Sequence, residues 1–110
     1  MKKLLLLTKI ICGIFFFGCS DTLDYVGDLS DGKPNGKGIL TYDDGSIYDG
    51  EWKEGKRSGK GVMTYEDGRK YEGEWKDDKK DGQGILFYIN GSKLEGEFRK
   101  DNPWNTTLEE

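Results

Sequence analysis

Large hydrophobic and polar side chains alternate along most of the chain, and glycine often takes a place among the hydrophobic positions. In the segment 48–52, two aromatic residues and a glycine share one face of an extended strand, whereas Asp49 and Glu51 point the other way. The segment 59–65 alternates in the same manner. A period of two is typical of strands whose faces differ in environment, so each pair of such segments predicts a β-hairpin.

The alternation recurs every 23 residues, so residues 25–47, 48–70 and 71–93 align and residues 94–110 begin a further copy. Repetition at a short fixed period indicates stacked supersecondary units. Each copy opens on a large residue, a glycine and a second large residue. The first large residues are Tyr25, Tyr48, Tyr71 and Leu94, and the second are Leu29, Trp52, Trp75 and Phe98. The repeated glycines are Gly27, Gly50, Gly73 and Gly96 in the opening column and Gly38, Gly61 and Gly84 in a later column.

The pattern predicts an all-β chain with about seven strands, followed by a C-terminal tail over 99–110. The predicted strands lie near residues 25–29, 36–42, 48–53, 59–65, 71–76, 82–88 and 94–98. Turns with a positive φ at Gly or Asn are expected at 43–45, 66–68 and 89–91. The charged stretches 30–35, 53–58 and 76–81 are expected to form longer loops.

The alternation also predicts a register between strands. Pairing Trp52 with Gly59 places Glu51 opposite Lys60, and the same register places Asp28 opposite Lys37. These pairs are expected to be modest cross-strand ion pairs on a solvated face.

The strand glycines predict a ladder of aromatic rings. A glycine inside a strand usually marks the close approach of another group, here a ring from the neighbouring strand. The rings are either the core of the domain or an exposed face that stacks against sugars or a partner peptide. Trp52 and Trp75 are expected in the core, whereas Tyr25, Phe98 and Trp104 lie at the ends and are better placed for contact. The full set of candidate rings is Tyr25, Tyr48, Trp52, Tyr71, Trp75, Phe98 and Trp104.

The segment 48–61, YDGEWKEGKRSGKG, resembles the MORN repeat, whose motif is Y-x-G-x-W-x-x-G-x-x-x-G-x-G, at every fixed position. The copy at 71–84 has Asp78 in place of a loop glycine, and the first copy has Leu29 in place of tryptophan. Residues 94–98 resemble half a copy. The resemblance implies an elongated single-layer antiparallel sheet of hairpins. MORN arrays occur in scaffold proteins, in proteins that hold membranes together and beside lipid kinase domains, so the resemblance leaves the activity open.

The first 20 residues have a different composition. A basic start and an apolar run before small residues are typical of a secretory signal, expected to be helical if present, over residues 1–18. Its uninterrupted apolar part, after Lys9, is far shorter than the ~20 residues that span a bilayer.

The segment Phe16-Phe17-Gly18-Cys19 resembles the bacterial lipobox, although Phe16 stands where leucine is usual. The resemblance implies cleavage between Gly18 and Cys19, lipid attachment at Cys19 and a short tether over 19–24 before the repeats at 25–98. The alternatives are an uncleaved anchor and plain secretion. Ser20, rather than aspartate, after the cysteine resembles export to the outer membrane, so the expected location is the cell envelope.

The charge balance disfavours some partners. The chain has 17 Lys and Arg against 21 Asp and Glu, a net charge of −4. Three lysines lie in the leader, so its removal leaves 14 basic residues and a net charge of −7. An acidic balance disfavours nucleic acid and electrostatic binding to anionic lipid.

The sequence contains little that predicts catalysis, a metal site or a cofactor. It has no histidine, the commonest general base and metal ligand. No Gly-Lys-Ser/Thr segment supports a phosphate loop, and no Asp-x-Asp-x-Asp-Gly loop supports calcium binding. The acids of the strands are expected on a solvated face with lysine partners. They are Asp49, Glu51, Glu72, Glu74, Glu95 and Glu97. We therefore expect a protein that is not an enzyme.

Three function classes remain after these exclusions. The first is a membrane-tethered scaffold or interaction module that binds another envelope protein through its sheet edges or its rings. The second is a glycan or peptidoglycan binder that uses the rings. The third, an accessory to lipid-modifying machinery, rests on the family resemblance alone.

Overall fold

Each copy of the repeat folds into an antiparallel hairpin, because its alternating positions place rings on one face and charges on the other. The computed structural model describes residues 24–110, which form an eight-stranded sheet whose strands follow one another in sequence order. The strands are β1 Asp24–Ser30, β2 Lys33–Thr41, β3 Ile47–Lys53, β4 Lys56–Thr64, β5 Lys70–Lys76, β6 Lys79–Phe87, β7 Lys93–Arg99 and β8 Asn102–Glu109. The predicted all-β meander is confirmed. The predicted signal, its cleavage site, Cys19 and residues 20–23 of the tether lie outside the described residues.

The turns predicted around Gly45, Gly68 and Gly91 are confirmed, each with a positive φ at its glycine, but the tightest turns are at the charged stretches. Two-residue turns at 31–32, 54–55, 77–78 and 100–101 join the strands of each hairpin, and both residues of each turn have a positive φ. Two-residue hairpin turns of type I′ require that geometry. The predicted longer loops at these places are wrong, because their Asp, Glu and Gly residues adopt positive φ and let the next strand begin about three residues earlier. The longer connections are those around Gly45, Gly68 and Gly91.

The predicted tail is also wrong, because residues 102–109 form an eighth strand that pairs with β7. Gly96 lies opposite Thr106, at the place where Gly73 lies opposite Gly84 in the preceding hairpin. The last copy has Leu94 where the others have a tyrosine, so no ring needs a glycine on the partner strand. A threonine is therefore accommodated in β8, although the strand lacks the glycines of the repeat.

The predicted register is confirmed in the first part of the β3–β4 hairpin, where Gly50 lies opposite Gly61, but a bulge then interrupts it, as in each of the four hairpins. In the β3–β4 hairpin, Trp52 lies opposite Arg57 instead of Gly59, and the pairing shifts between Gly50 and Trp52. Acids and lysines do face each other, but between copies: Lys37 lies opposite Glu51. Over residues 24–110, the ion pairs predicted within hairpins are not formed.

The core is a continuous row of rings on one side of the sheet, here called the ring face. Consecutive rings meet edge to face, with centroids 5.0–5.6 Å apart and interplanar angles of 83–90°, a favourable arrangement for aromatic pairs. Their order is Tyr25, Trp52, Tyr48, Trp75, Tyr71 and Phe98. Each tryptophan thus packs between the tyrosine of its own copy and that of the preceding copy. Leu29 stands at the tryptophan position of the first copy, on β1. A tryptophan there would have no tyrosine of a preceding copy to pack against.

The strand glycines accommodate the tyrosine rings, as the sequence predicted. A Cβ placed on Gly61 would overlap the Tyr48 ring, and the pairs Tyr25–Gly38 and Tyr71–Gly84 are equivalent. The tyrosine hydroxyl then donates a hydrogen bond to a carbonyl three residues further on, at 3.0 Å from Tyr48 to Glu51. Tryptophan has a different role, since its indole N–H donates to a glycine carbonyl of the preceding copy, as from Trp75 to Gly61 at 3.2 Å.

Asp78, the departure from the repeat motif, links two copies. Its carboxylate accepts hydrogen bonds from the backbone N–H and the Nε of Arg57, at 2.8 and 3.1 Å. The guanidinium also donates to the Asp78 carbonyl at 2.8 Å. One copy earlier, the equivalent residues are Pro34, which has no N–H to donate, and Gly55, which has no side chain to accept. An aspartate therefore stands at this turn position in the copy whose preceding copy has Arg57, and not proline, to donate hydrogen bonds to it.

We expect Asp78→Gly to lower the free energy of unfolding by about 1–3 kcal/mol, because it leaves the Arg57 N–H groups without their carboxylate acceptor. Glycine relaxes the positive φ of 71° at this position, so the loss reports the missing carboxylate and not backbone strain. Asp78→Asn keeps an acceptor oxygen and should cost less. Urea unfolding measures the ranking, with Asp77→Gly in the same turn as the control. Equal stability of the two glycine variants would contradict the link.

Candidate functional site

The ring face is closed to solvent along the middle of the sheet. Tyr48, Tyr71 and Phe98 are fully buried, and Trp52 and Trp75 are only 6% and 4% exposed. The expectation that Phe98 is an accessible end of the ladder is wrong, because it packs against Tyr71 and pairs with Pro103 of the unpredicted strand β8. These five rings are core side chains, which leaves them little surface for stacking against a ligand.

Two long cationic side chains lie over the rings and help to cover them. The Arg57 guanidinium carbon is 4.8 Å from the centre of the Trp75 ring and 5.9 Å from that of Tyr42. The Lys80 ammonium, one copy later, lies 5.7 Å from the ring centres of both Tyr65 and Tyr71. Such contacts are favourable cation–π interactions. Sequence reasoning missed both residues, since nothing in their spacing distinguishes them from the other charged positions.

The ends of the ladder differ from its middle. Tyr25 is half-buried, with its hydroxyl donating to the Asp28 carbonyl at 2.7 Å. Trp104 is 63% exposed, and the Arg99 guanidinium carbon lies 4.3 Å from its ring centre. Of the seven candidate rings, Trp104 therefore offers the largest free surface, with one side already occupied by a cation.

The tyrosine hydroxyls of the ladder resist ionisation. Burial, aided by the neighbouring Asp28 carboxylate, raises the pKa of Tyr25 from 10.0 to about 12. Burial also raises the pKa values of Tyr48 and Tyr71 well above the ordinary value. A charged phenolate would be poorly solvated beneath the neighbouring side chains. The neutral form is therefore the one that the folded sheet favours.

We expect the sheet to lose stability above about pH 10. Between that pH and the raised pKa values, the unfolded chain has released tyrosine protons that the folded chain retains, so stability falls as pH rises. Below about pH 10 this contribution is fully present. Urea unfolding over this range, with tyrosinate absorbance as a second signal, measures the effect. Tyr48→Phe should weaken the pH dependence, and unchanged stability up to about pH 12 would contradict the prediction.

The opposite side of the sheet, here called the open face, carries aliphatic and acidic side chains in regular alternation. One row across the strands, here called the middle row, has an aliphatic residue on each even-numbered strand and an acid on each odd-numbered strand from β2 to β7. Its members, in order, are Ile39, Asp49, Val62, Glu72, Ile85 and Glu95, each directly opposite the next. The sequence alternation assigned Asp49, Glu51 and Val62 correctly to this face.

The rows on either side of the middle row add charges of both signs to the open face. One of them contains Lys37, Glu51, Lys60, Glu74, Gln83 and Glu97. The other contains Thr41, Ile47, Thr64, Lys70, Phe87 and Lys93. Lys70 pairs with Glu72 at 3.1 Å, and Lys93 pairs with Glu95 at 3.6 Å. Together the three rows contain six acids and four lysines between β2 and β7, and the acid excess comes from Asp49, Glu72 and Glu95 of the middle row.

The open face leaves apolar area in contact with solvent. Ile39 and Ile47 are 43% and 40% exposed. A shallow cleft of about 370 Å³ opens on the same face, where Lys60, Glu72 and Ile85 are among its lining residues. Asp49, between two aliphatic neighbours, forms no ion pair within the part of the chain that the structure describes. This face combines exposed apolar groups with charges available to a partner.

Residues 24–110 do not contain the features of two other classes of site. No three acidic, histidine or cysteine side chains there are grouped so as to hold a metal ion. The same residues form no helix that could span a bilayer. The open face, together with the exposed ring of Trp104, is therefore the candidate functional site.

Comparisons with known proteins agree with the repeat geometry. The MORN repeat family model matches residues 25–47, 48–68 and 71–93, the three copies whose tyrosines pack over glycines. No curated protein matches the chain. The three matches are consecutive and cover more than half of the sequence, and the chain therefore belongs to the MORN repeat family.

Proposed function

We propose that this protein is a non-catalytic interaction module, tethered to the bacterial envelope by a lipid at Cys19, that binds a protein partner through its open face. MORN repeats suggest a repeat-based binding or scaffold role. The observation that carries the choice of face is the contrast in exposure between the two sides. Trp75 on the ring face is 4% exposed, whereas Ile39 on the open face is 43% exposed. A partner gains more by covering the second kind of surface.

The charges of the open face support a protein partner over a lipid surface. Asp49 and Glu51 would meet the anionic headgroups of a membrane with like charge. Their carboxylates, flanked by Ile39 and Val62, match the mixed polar and apolar character of protein interfaces. The module would then hold its partner near the membrane without contacting the membrane through this face.

The anchor rests on the leader and lipobox resemblance. Three acyl chains at Cys19 would make membrane attachment effectively permanent, since each buried methylene contributes ~0.8 kcal/mol. Mass spectrometry of the mature N-terminus tests this part, with the expected product beginning at an acylated Cys19. An unmodified Cys19, or a retained Met1, would overturn the anchor and leave the interaction role to be judged separately.

A capture experiment tests the interaction role. The tagged full chain, in detergent-solubilised envelope, is expected to retain a specific protein, and the double variant Ile39→Ser, Val62→Ser is expected to lose it. Ile89→Ser is the matched control, because Ile89 is 72% exposed but lies in a loop outside the open face. Capture that is insensitive to the open-face variant would contradict this choice of surface.

The alternative of a glycan binder has one specific observation in its favour, the exposed ring of Trp104. A single ring with one side against Arg99 offers a sugar one stacking surface. Sedimentation with purified cell wall tests this alternative. Retention by the cell wall that Trp104→Ala abolishes, with no protein captured from the envelope, would replace the proposed function by glycan binding.

A further inference from the structure

We infer that the partner presents a cationic amphipathic α-helix, which lies across the strands of the open face along the middle row. This inference rests on the proposed function and specifies the chemistry of the partner. It follows from two features of the middle row, the spacing of its aliphatic side chains and the position of its acids between them.

The aliphatic side chains repeat at a distance that suits a helix. Ile39, Val62 and Ile85 lie on β2, β4 and β6, and alternate strands are ~9.6 Å apart. Residues seven apart on an α-helix lie on nearly the same side and are separated by ~10.5 Å along the axis. If the helix axis is inclined by about 25° to the row, its repeat of ~10.5 Å projects onto the row as a distance close to the ~9.6 Å between alternate strands. The twist of a sheet allows an inclination of this size. Three apolar residues of one helix can therefore contact all three aliphatic side chains.

The acids provide the complementary charge. Asp49 and Glu72 lie midway between the aliphatic side chains, ~4.8 Å from each along the row. On the helix, the positions three and four residues after each apolar contact are close to that midpoint. Lysine or arginine there would face the carboxylate of Asp49 and that of Glu72, which Lys70 already approaches at 3.1 Å. Asp49 has no ion pair within the described residues, so a cation of the partner would not need to displace one.

Other occupants fit the same surface less well. An extended strand repeats its side chains on one side every ~6.6 Å, which does not match a spacing of ~9.6 Å. A second copy of this chain, with its middle row along this one, would bring its own acids against Asp49 and Glu72, and like charges at an interface oppose association. The helix satisfies both the spacing and the charge.

The test uses a labelled peptide of roughly 18 residues, or ~27 Å of helix, with leucine at every seventh position and lysine midway between the leucines. A peptide of the same composition in permuted order is the control. Fluorescence anisotropy with the full chain in a non-ionic detergent measures affinity, after subtraction of binding to empty micelles. We expect the patterned peptide to bind at least about tenfold more tightly than the permuted one, and raising salt from ~0.05 to ~0.5 M to weaken it.

Variants assign the binding to the middle row. Asp49→Lys and Glu72→Lys are each expected to lower the affinity by about tenfold or more, because they place like charges together. Glu66→Lys, in an exposed loop outside the open face, makes the same charge change and should have little effect. Near-ultraviolet circular dichroism of the buried rings verifies that every variant remains folded.

The outcomes separate this inference from the proposed function. Equal binding of the patterned and permuted peptides, or equal effects of Glu72→Lys and Glu66→Lys, would overturn the cationic helix. If the full chain still captures an envelope protein through the open face, the interaction role stands and only the helix is wrong. Selective peptide binding without any captured protein would support the surface chemistry and contradict the proposed role in the envelope.

Discussion

Replacing Trp75 by alanine is expected to lower the free energy of unfolding by about 3–5 kcal/mol, the usual cost of truncating a large buried aromatic side chain. Trp75 is 4% exposed and lies between the rings of Tyr48 and Tyr71, with centroids 5.3 and 5.2 Å away. Its indole N–H donates to Gly61, and Arg57 lies over its ring. The alanine variant would lose these contacts and leave a cavity between two copies.

Trp104→Ala is the matched control for this prediction. Trp104 is 63% exposed, and its truncation should cost on the order of 1 kcal/mol. Denaturant unfolding of residues 20–110 would compare the two variants directly. If Trp75→Ala unfolds near the wild-type midpoint but loses binding to an envelope extract, the middle tryptophans form a ligand surface, and glycan binding would gain support over the scaffold role.

Gly61→Ala is expected to cost about 3 kcal/mol or more, at the upper end of the usual range for overpacking. The added methyl group would overlap the hydroxyl and ring carbons of Tyr48. Tyr48 is fully buried between two tryptophans, and its hydroxyl donates to Glu51, so the ring has little room to move. The cost arises from a steric overlap within the ladder, since Gly61 has no positive φ.

The double variant Tyr48→Leu, Gly61→Ala tests whether the ring and the glycine act together. Leucine removes the ring that the methyl group would meet, so the double variant should be more stable than the sum of the single losses predicts. The last copy already combines a leucine, Leu94, with a residue that has a side chain, Thr106. Additive losses in urea unfolding would contradict the proposed fit between ring and glycine.

Much of the strand pattern followed from the sequence because the physical cause was local. On any extended strand, alternation places Asp49 and Glu51 on one face and Trp52 on the other. The 23-residue period extends that assignment to every copy. The contact between Tyr48 and Gly61 was expected as a ring over a glycine. The sequence did not reveal that tyrosine fills this position whereas tryptophan reaches the preceding copy, because both have aromatic rings of suitable size.

The turns and the last strand were harder to predict, for separate reasons. Asp77 and Asp78 adopt positive φ, which is uncommon for residues other than glycine, so their tight turn was not recognised. In the last hairpin, Leu94 on β7 and Thr106 on β8 replace the tyrosine and glycine of the earlier copies. Strand β8 therefore lacked the repeat pattern by which the other strands were found.

The sequence by itself determined the repeat family, the antiparallel meander and the side of each strand on which charges lie, since period and alternation depend only on the order of residues. Tertiary structure decided which surface is available to a partner. The rings became core because Trp75 packs between tyrosines of two copies and beneath Arg57, contacts that arise only when hairpins lie side by side. The same pairing placed Ile39, Asp49 and Val62 in one row, although they are distant in the chain, and so formed the open face.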